Sequence, residues 1–134
     1  MDVITLLAPG MKGELHEAVT AGNTAESWGS GGLPVYATPS MIALMEAASV
    51  AAADPSLPAG FSTVGTEVNV KHLAATPPGM TVRATGELLE INGRRLLFRV
   101  EAWDEAGKIG EGAHERFIVE NEKFLKKTQG KHRP

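Results

Sequence analysis

The fold is decided by residues 38–53, which read TPSMIALMEAASVAAA. Thr38 and Pro39 are typical of a helix start, because a threonine oxygen can cap free backbone N–H groups and proline suits the first helical turn. Asp54-Pro55 ends the pattern, since the residue before a proline is pushed out of the α region. Apart from Glu46 the stretch carries no charge. It therefore predicts a long helix that is apolar all round and buried.

Strand-like runs lie on both sides of this helix. One precedes it at 13–19, and four follow it without a second long helix, at 64–72, 80–89, 95–103 and 108–119. Asn92-Gly93 between two of these runs is a strong hairpin signal, so the later strands should be antiparallel. The order predicts a single α+β domain over 1–134, with an antiparallel sheet wrapped around the central helix, which is the hotdog architecture. The Gly- and Ser-rich segment 20–35 is predicted to be a mobile loop with little intrinsic order.

Composition limits the chemistry and the compartment. The chain has no cysteine, which excludes a disulfide scaffold and a thiolate nucleophile. Its four histidines lack metal-ligand spacing, so we expect no metal. Met1–Ala8 lack the basic region and cleavage site of a secretory signal, and no apolar run reaches the roughly 20 residues needed to cross a bilayer. We therefore expect a cytoplasmic protein without a membrane partner.

Charge is unevenly distributed along the chain. The formal net charge is −3, yet residues 123–134 hold five Lys or Arg and no acid. The acidic body lacks the basic face of a nucleic-acid binder. The basic tail is predicted to be a solvated helix end, with a patch for an anionic ligand as the alternative.

Two ionisable side chains are predicted to converge in the interior. The helical neighbours of Glu46 are apolar or small, so its carboxylate must either find donors or take up a proton. Strict alternation puts Val64, Thr66, Val68, Val70 and His72 on the face toward the helix, and Glu67 on the other. The alternatives are a narrow exposed stripe or a structural hydrogen-bond network for Glu46, and a satisfied core position for His72. Convergence of the two favours an acid–base site.

Thr38 has two possible roles at the mouth of the helix, capping it or presenting a hydroxyl to substrate. Eight residues separate it from Glu46, or about 12 Å along a regular helix, which is too far for a direct hydrogen bond. Taken alone, its position favours capping. The free N–H groups beside it could stabilise an oxyanion.

The last strand places Gly110, Gly112, His114 and Arg116 on one face. The glycines leave room for a ligand or a second subunit, Arg116 could pair with a phosphate, and His114 could line a pocket. An exposed face with ordinary charges is the alternative.

Together these residues resemble the hotdog thioesterases related to fluoroacetyl-CoA thioesterase. The similarity rests on Ala37-Thr38 before Leu44-Met45-Glu46, on Gly93-Arg94-Arg95-Leu96, on GAHER at 112–116 and, most specifically, on HLAATPPG at 72–79. The resemblance implies a catalytic constellation of Thr38, Glu46 and His72, and substrate binding at Gly65, with Tyr36, His114 and Arg116 as further candidates. It also implies a homodimer with active sites near the subunit interface, and an acyl-CoA substrate with no other cofactor.

The resemblance stops short in the segment before the helix. The fluoroacetate-resistance enzyme carries gating phenylalanines there, whereas residues 26–37 here contain Trp28 and Tyr36 but no Phe. The sequence therefore favours a general short-chain acyl-CoA over fluoroacetyl-CoA.

The hypothesis is thioester hydrolysis in which His72 polarises the carbonyl or moves protons, Glu46 orients or activates water or attacks, and Thr38 binds, positions or attacks. A covalent intermediate and a directly activated water both remain open. The rivals are an acyl-CoA hydratase or dehydratase, which the placement of Glu67 and His72 on opposite faces disfavours, and a non-catalytic acyl-CoA binder.

Overall fold

A curled five-stranded antiparallel sheet holds one long helix against its inner face, which confirms the predicted hotdog architecture. The computed structural model describes residues 6–132, so the interpretation of Met1–Ala8 rests mostly on residues outside the described part. The elements are β1 Lys12–Ala18, α1 Ala25–Trp28, α2 Thr38–Ala53, β2 Phe61–His72, β3 Thr81–Asn92, β4 Arg95–Trp103, β5 Lys108–Glu120 and α3 Asn121–Gln129. The strands run in the order β1-β3-β4-β5-β2, so β1 and β2 are the two edges. No helix among the described residues has the length and apolar character needed to span a bilayer.

Helix α2 lies very close to β1 and β3 because glycines face it there. Gly13 pairs with Gly86 across these strands. A Cβ built on Gly13 would lie 2.2 Å from the Ala48 carbonyl oxygen, and one on Gly86 would lie 2.6 Å from the Ser49 hydroxyl oxygen. The helix can therefore pack its backbone directly on the sheet. The core between them is formed mainly by Met41, Met45, Val82, Leu88, Leu96, Phe98, Val100 and Ile109.

Within one chain, α2 is buried on one side only, so the prediction of burial all round is wrong. Its buried positions include Met41, Leu44, Met45 and Ala48, which face the sheet. The opposite side, which the sheet does not cover, is exposed or half-buried at Ile42, Ala43, Glu46, Ala47, Val50 and Ala51. Apart from Glu46 this uncovered side is apolar. The sequence pattern indicated an apolar environment, and one chain supplies only half of it.

Strand β2 contains a bulge that breaks the predicted alternation. Its register against β5 shifts between Gly65 and Glu67. Gly65 faces α2, whereas Val64 before it and Thr66, the extra residue at the shift, line the outer surface. After it, His72 lies opposite Gly110 on the inner face. The prediction that Val64 and Thr66 face the helix is therefore wrong, because an extra residue in a strand reverses the phase of the side chains.

The segment before α2 has more local structure than its composition predicted. Thr20 and Asn23 form a reciprocal capping box around a short 3₁₀ turn. Thr24 caps α1 through its hydroxyl, and Gly29, at φ 75°, ends that helix in the left-handed region. Thr24 also forms a β-bridge with Tyr36. The prediction of little intrinsic order is therefore wrong for residues 20–29.

Candidate active site

Thr38 and His72 meet at the N-terminal end of α2. The Thr38 Oγ1 and His72 Nδ1 atoms are 2.7 Å apart, which is a short hydrogen bond. Ala37 occupies the N-cap position of α2, and no side chain caps the helix there. The prediction that Thr38 caps the helix is therefore wrong, because its hydroxyl is directed to the last residue of β2 instead.

The environment of His72 keeps its ring neutral. Burial lowers the pKa of the imidazole below its ordinary value of 6.5. Nε2 is buried and has no hydrogen-bond partner among the described residues. A neutral imidazole can take the hydroxyl proton of Thr38 at Nδ1. The unpaired Nε2 is a second polar position at which a further group could bind.

Thr38 and His72 open onto a cleft of ≈ 360 Å³. Most of its other walls are small or aliphatic side chains, from Ala25, Ser30, Val35, Leu73, Ala74 and Ala75. Tyr36 also borders the cleft, but it is buried and its hydroxyl donates to Glu17 Oε2 at 2.6 Å. Burial, reinforced by this hydrogen bond, raises the pKa of the Tyr36 phenol. Tyr36 thus ties the cleft wall to β1.

Glu46 lies in a different polar cluster, together with Arg116. Arg116 is buried, and its Nη1 donates to Glu46 Oε2 at 3.3 Å. Its Nε donates to Thr63 Oγ1 at 2.8 Å, and its Nη2 to the Thr63 carbonyl at 2.9 Å. Thr63 in turn donates to Asp54 at 2.7 Å. The Glu46 side chain is 39% exposed and accepts from Arg116, so within one chain it combines the two alternatives, a partly exposed position and a structural hydrogen-bond network.

His114 completes this cluster as a neutral ring. Its Nδ1 is 2.7 Å from the Glu67 carbonyl oxygen, so it must carry the proton and donate. Its Nε2 then accepts from Arg116 Nη1 at 3.0 Å. Burial, and secondarily the Arg116 charge, lower the pKa of His114. The 3.8 Å approach of His114 Nε2 to Glu46 is therefore not an ion pair, and Arg116 supplies the countercharge.

Gly65 provides the space that the Glu46 carboxylate occupies. A Cβ built on Gly65 would lie 2.7 Å from Glu46 Oε2 and 3.2 Å from the His114 ring. On β5, Gly110 likewise admits the Met41 side chain. The predicted inner face of β5 is thus buried, and the alternative of an exposed face with ordinary charges is wrong.

A single chain therefore presents two polar pairs, Thr38 with His72 and Glu46 with Arg116. No hydrogen bond among residues 6–132 joins one pair to the other, so the predicted convergence of Glu46 and His72 is not made within the chain. Nor does that part of the chain group three His, Asp or Glu side chains as metal ligands. Sequence reasoning missed Thr63 and Asp54, since Asp54 was interpreted only as a helix end. The signal that could have found them is a buried arginine, which requires acceptors nearby.

Comparisons with known proteins identify similar sequences and structures. Residues 19–122 match the family described as fluoroacetyl-CoA-specific thioesterase. A fluoroacetyl-CoA thioesterase from Streptantibioticus cattleyicolor is 48% identical over 97 residues, covering 72% of this chain and 70% of that protein. A structure of a fluoroacetyl-CoA thioesterase superposes with a TM-score of 0.86 at 37% identity, over 96% of this chain and 98% of the other.

A structure of a hot-dog-like protein from Thermanaerovibrio acidaminovorans matches the full length of the chain. Its TM-score is 0.90 at 25% identity, over 100% of this chain and 99% of the other. The fold is thus retained in relatives with far fewer identical residues. With the family match over most of its length, the chain belongs to the fluoroacetyl-CoA-specific thioesterase family.

Proposed function

We propose that the chain hydrolyses a small acyl-CoA to the free acid and CoA, with Thr38 and His72 at the reacting carbonyl. Membership of the family makes the chain a thioester hydrolase. The observation that carries the assignment of these two residues is their 2.7 Å hydrogen bond in a cleft at the start of α2. A hydroxyl bonded to a neutral imidazole is the arrangement that activates a nucleophile.

The chemistry balances by two routes. In one, Thr38 Oγ1 attacks the carbonyl carbon while His72 takes its proton, the C–S bond breaks, and the proton passes to the CoA sulfur. Water then hydrolyses the acyl-threonine ester. In the other, Thr38 positions a water whose proton passes to His72 as its oxygen attacks the carbonyl carbon, the C–S bond breaks, and the proton passes from His72 to the CoA sulfur. In both, the free N–H groups of the first turn of α2 face a growing negative charge on the carbonyl oxygen.

We propose that Glu46 acts in a homodimer, at the Thr38–His72 pair of the other subunit. Three features of one chain support this. Glu46 lies on the uncovered, otherwise apolar side of α2, where a second copy could pack. About 12 Å of helix separates it from Thr38. His72 Nε2 is buried without a partner among the described residues, so a polar group supplied at the subunit interface would satisfy it.

The acyl group is proposed to be short but not restricted to fluoroacetyl. The cleft beside Thr38 is bordered by small residues such as Ala25, Ser30 and Ala74. Among the described residues that border the cleft, Tyr36 is the one phenylalanine-like ring, and its hydrogen bond to Glu17 holds it against β1 rather than across the cleft. The cysteine-free chain and a CoA thioester substrate both fit the cytoplasm, which we propose as its location.

Release of free CoA, followed with a thiol reagent, tests the proposal on acetyl-, fluoroacetyl-, propionyl-, aromatic and medium-chain acyl-CoA. We expect hydrolysis by the wild type, a loss of about 10²-fold or more in His72→Ala, and an unchanged rate in His16→Ala, which removes an exposed histidine on β1. Equal rates in wild type and His72→Ala would reject the assigned site. Loss of absorbance from an enoyl-CoA without CoA release would favour a hydratase. Binding without turnover of any thioester would favour a non-catalytic binder.

A further inference from the structure

A large groove lies on the outer surface of the sheet, away from the cleft. It has a volume of ≈ 1040 Å³ and lies between the ends of β2 and β5 on one side and α3 on the other. Its sheet side is formed by Val64, Thr66, Phe117 and Val119. Helix α3 buries none of its residues, so it stands over the sheet without closing on it.

The groove exposes aromatic surface that one chain does not cover. Phe117 on β5 is 38% exposed and Phe124 on α3 is 39% exposed, and both line the groove. Flat aromatic faces in an open groove provide a platform on which a planar ring can stack. On the inner face of β5, by contrast, Ile118 is fully buried.

Lysines surround this apolar surface. Lys123, Lys126, Lys127 and Lys131 all line the groove. Lys123 is paired with Glu120 at 3.3 Å. The ammonium groups of the other three have no carboxylate within 4.0 Å among residues 6–132. In a chain whose formal net charge is −3, this is a local concentration of positive charge rather than a general property of the surface.

We propose that the groove binds the phosphorylated adenosine end of the CoA substrate. The lysines would pair with its phosphates, and the adenine would stack between the rings of Phe117 and Phe124. This inference rests on the proposed function. It fits the position of the groove, because Val64 and Thr66 flank Gly65, whose inner side contacts Glu46. Nucleotide and thioester would thus lie on opposite faces of β2.

Direct titration tests the groove without any turnover. The probe is adenosine 3′,5′-bisphosphate, measured by calorimetry on the wild type, on Lys126→Ala/Lys127→Ala, and on Lys12→Ala, which removes an exposed lysine at the opposite edge of the sheet. We expect binding to the wild type and to Lys12→Ala, and binding about tenfold weaker in the double variant, since two surface ion pairs are lost. Raising the salt concentration should weaken wild-type binding as well. Failure of the wild type to bind, or equal binding by all three proteins, would overturn the proposal.

Kinetics with a truncated substrate supply the second readout. For acyl-CoA, the double variant should show a KM raised about tenfold with kcat unchanged, whereas for the same acyl group on pantetheine, which lacks the nucleotide, both constants should equal those of the wild type. A parallel loss on both substrates would mean that the lysines only support the structure. If the wild type hydrolyses neither thioester, the proposed function fails, while the titration still decides whether the groove binds the nucleotide.

Discussion

Mixing two inactive variants tests whether the active site is divided between subunits. Thr38→Ala removes the hydroxyl bonded to His72, and Glu46→Gln removes the carboxylate charge while keeping an oxygen that can accept from Arg116. Each variant alone should lose about 10²-fold or more of the rate, as expected for a missing acid–base or nucleophilic group. Both substituted positions are exposed or half-buried, so both variants should fold.

The expected result follows from the length of α2. Thr38 and Glu46 are about 12 Å apart along the helix, whereas catalytic groups must lie within roughly 3 Å of the atoms they act on. If each site combines Thr38 of one subunit with Glu46 of the partner subunit, a mixed dimer has both changes in one site and none in the other. Its rate should be about half that of the wild-type dimer. A site built within one chain would leave no intact site in the mixed dimer.

The assay uses co-expression of the two variants with different affinity tags, followed by tandem purification of the mixed dimer and measurement of CoA release. A mixed dimer of Thr38→Ala with His72→Ala is the matched control, since both changes fall in the same polar pair and damage both sites. A divided site is supported if CoA release recovers in the dimer of Thr38→Ala with Glu46→Gln and does not recover in the control dimer. A first mixture as inactive as its parents, despite purifying as a dimer, would refute the division, and a protein that stays monomeric and active would refute the dimer itself.

Three further results are expected. Burial lowers the pKa of His72, so its ring stays neutral at pH 7. We therefore expect wild-type kcat/KM to hold steady down through pH 6.5 and to fall only as the pH drops through the lowered pKa. An acid midpoint above 6.5 in the pH profile of kcat/KM would contradict this. Gly65→Ala should lower kcat about 10- to 100-fold with little change in Tm, because the new methyl meets the movable end of Glu46 at 2.7 Å. Gly13→Ala should instead destabilise the fold by about 1–3 kcal/mol in denaturant titrations, because its methyl meets the Ala48 backbone at 2.2 Å.

The fold could be predicted from the sequence because its signals are local. The apolar stretch 38–53 between a Thr-Pro start and an Asp-Pro end predicts the observed bounds of α2, and the Asn92-Gly93 turn predicts the β3–β4 hairpin. The order of segment 20–35 was not predicted, because its overall composition was used and the positions of its capping residues were not. Its order comes from capping by Thr20 and Thr24, which depends on where each hydroxyl falls rather than on overall composition.

The candidate site could be predicted only in part. Thr38, Glu46 and His72 could be proposed as candidates from their residue types, but the two polar pairs in which the structure places them could not. Whether Thr38 caps its helix or forms a hydrogen bond with His72 depends on where the end of β2 lies in the tertiary structure, which the local sequence does not determine. The partners of Glu46 lie about 70 positions away on β5, and no spacing rule connects them. Period-two alternation also fails without warning where a strand contains a bulge.

The bulge in β2 explains how one strand can serve both polar pairs. In a regular strand, positions 65 and 72 differ by an odd number and would lie on opposite faces. With His72 inside, Gly65 would then face outward and position 64 or 66 would face the Glu46 carboxylate. Val64 or Thr66 there would place a branched side chain where even one added carbon meets Glu46 at 2.7 Å. The register shift between Gly65 and Glu67 brings Gly65 inside as well, so a residue without a side chain faces Glu46 while an imidazole at the same strand's end faces Thr38. Deleting Thr66 should therefore remove the bulge yet keep Gly65 and His72 on the inner face, because six positions then separate them in a regular strand.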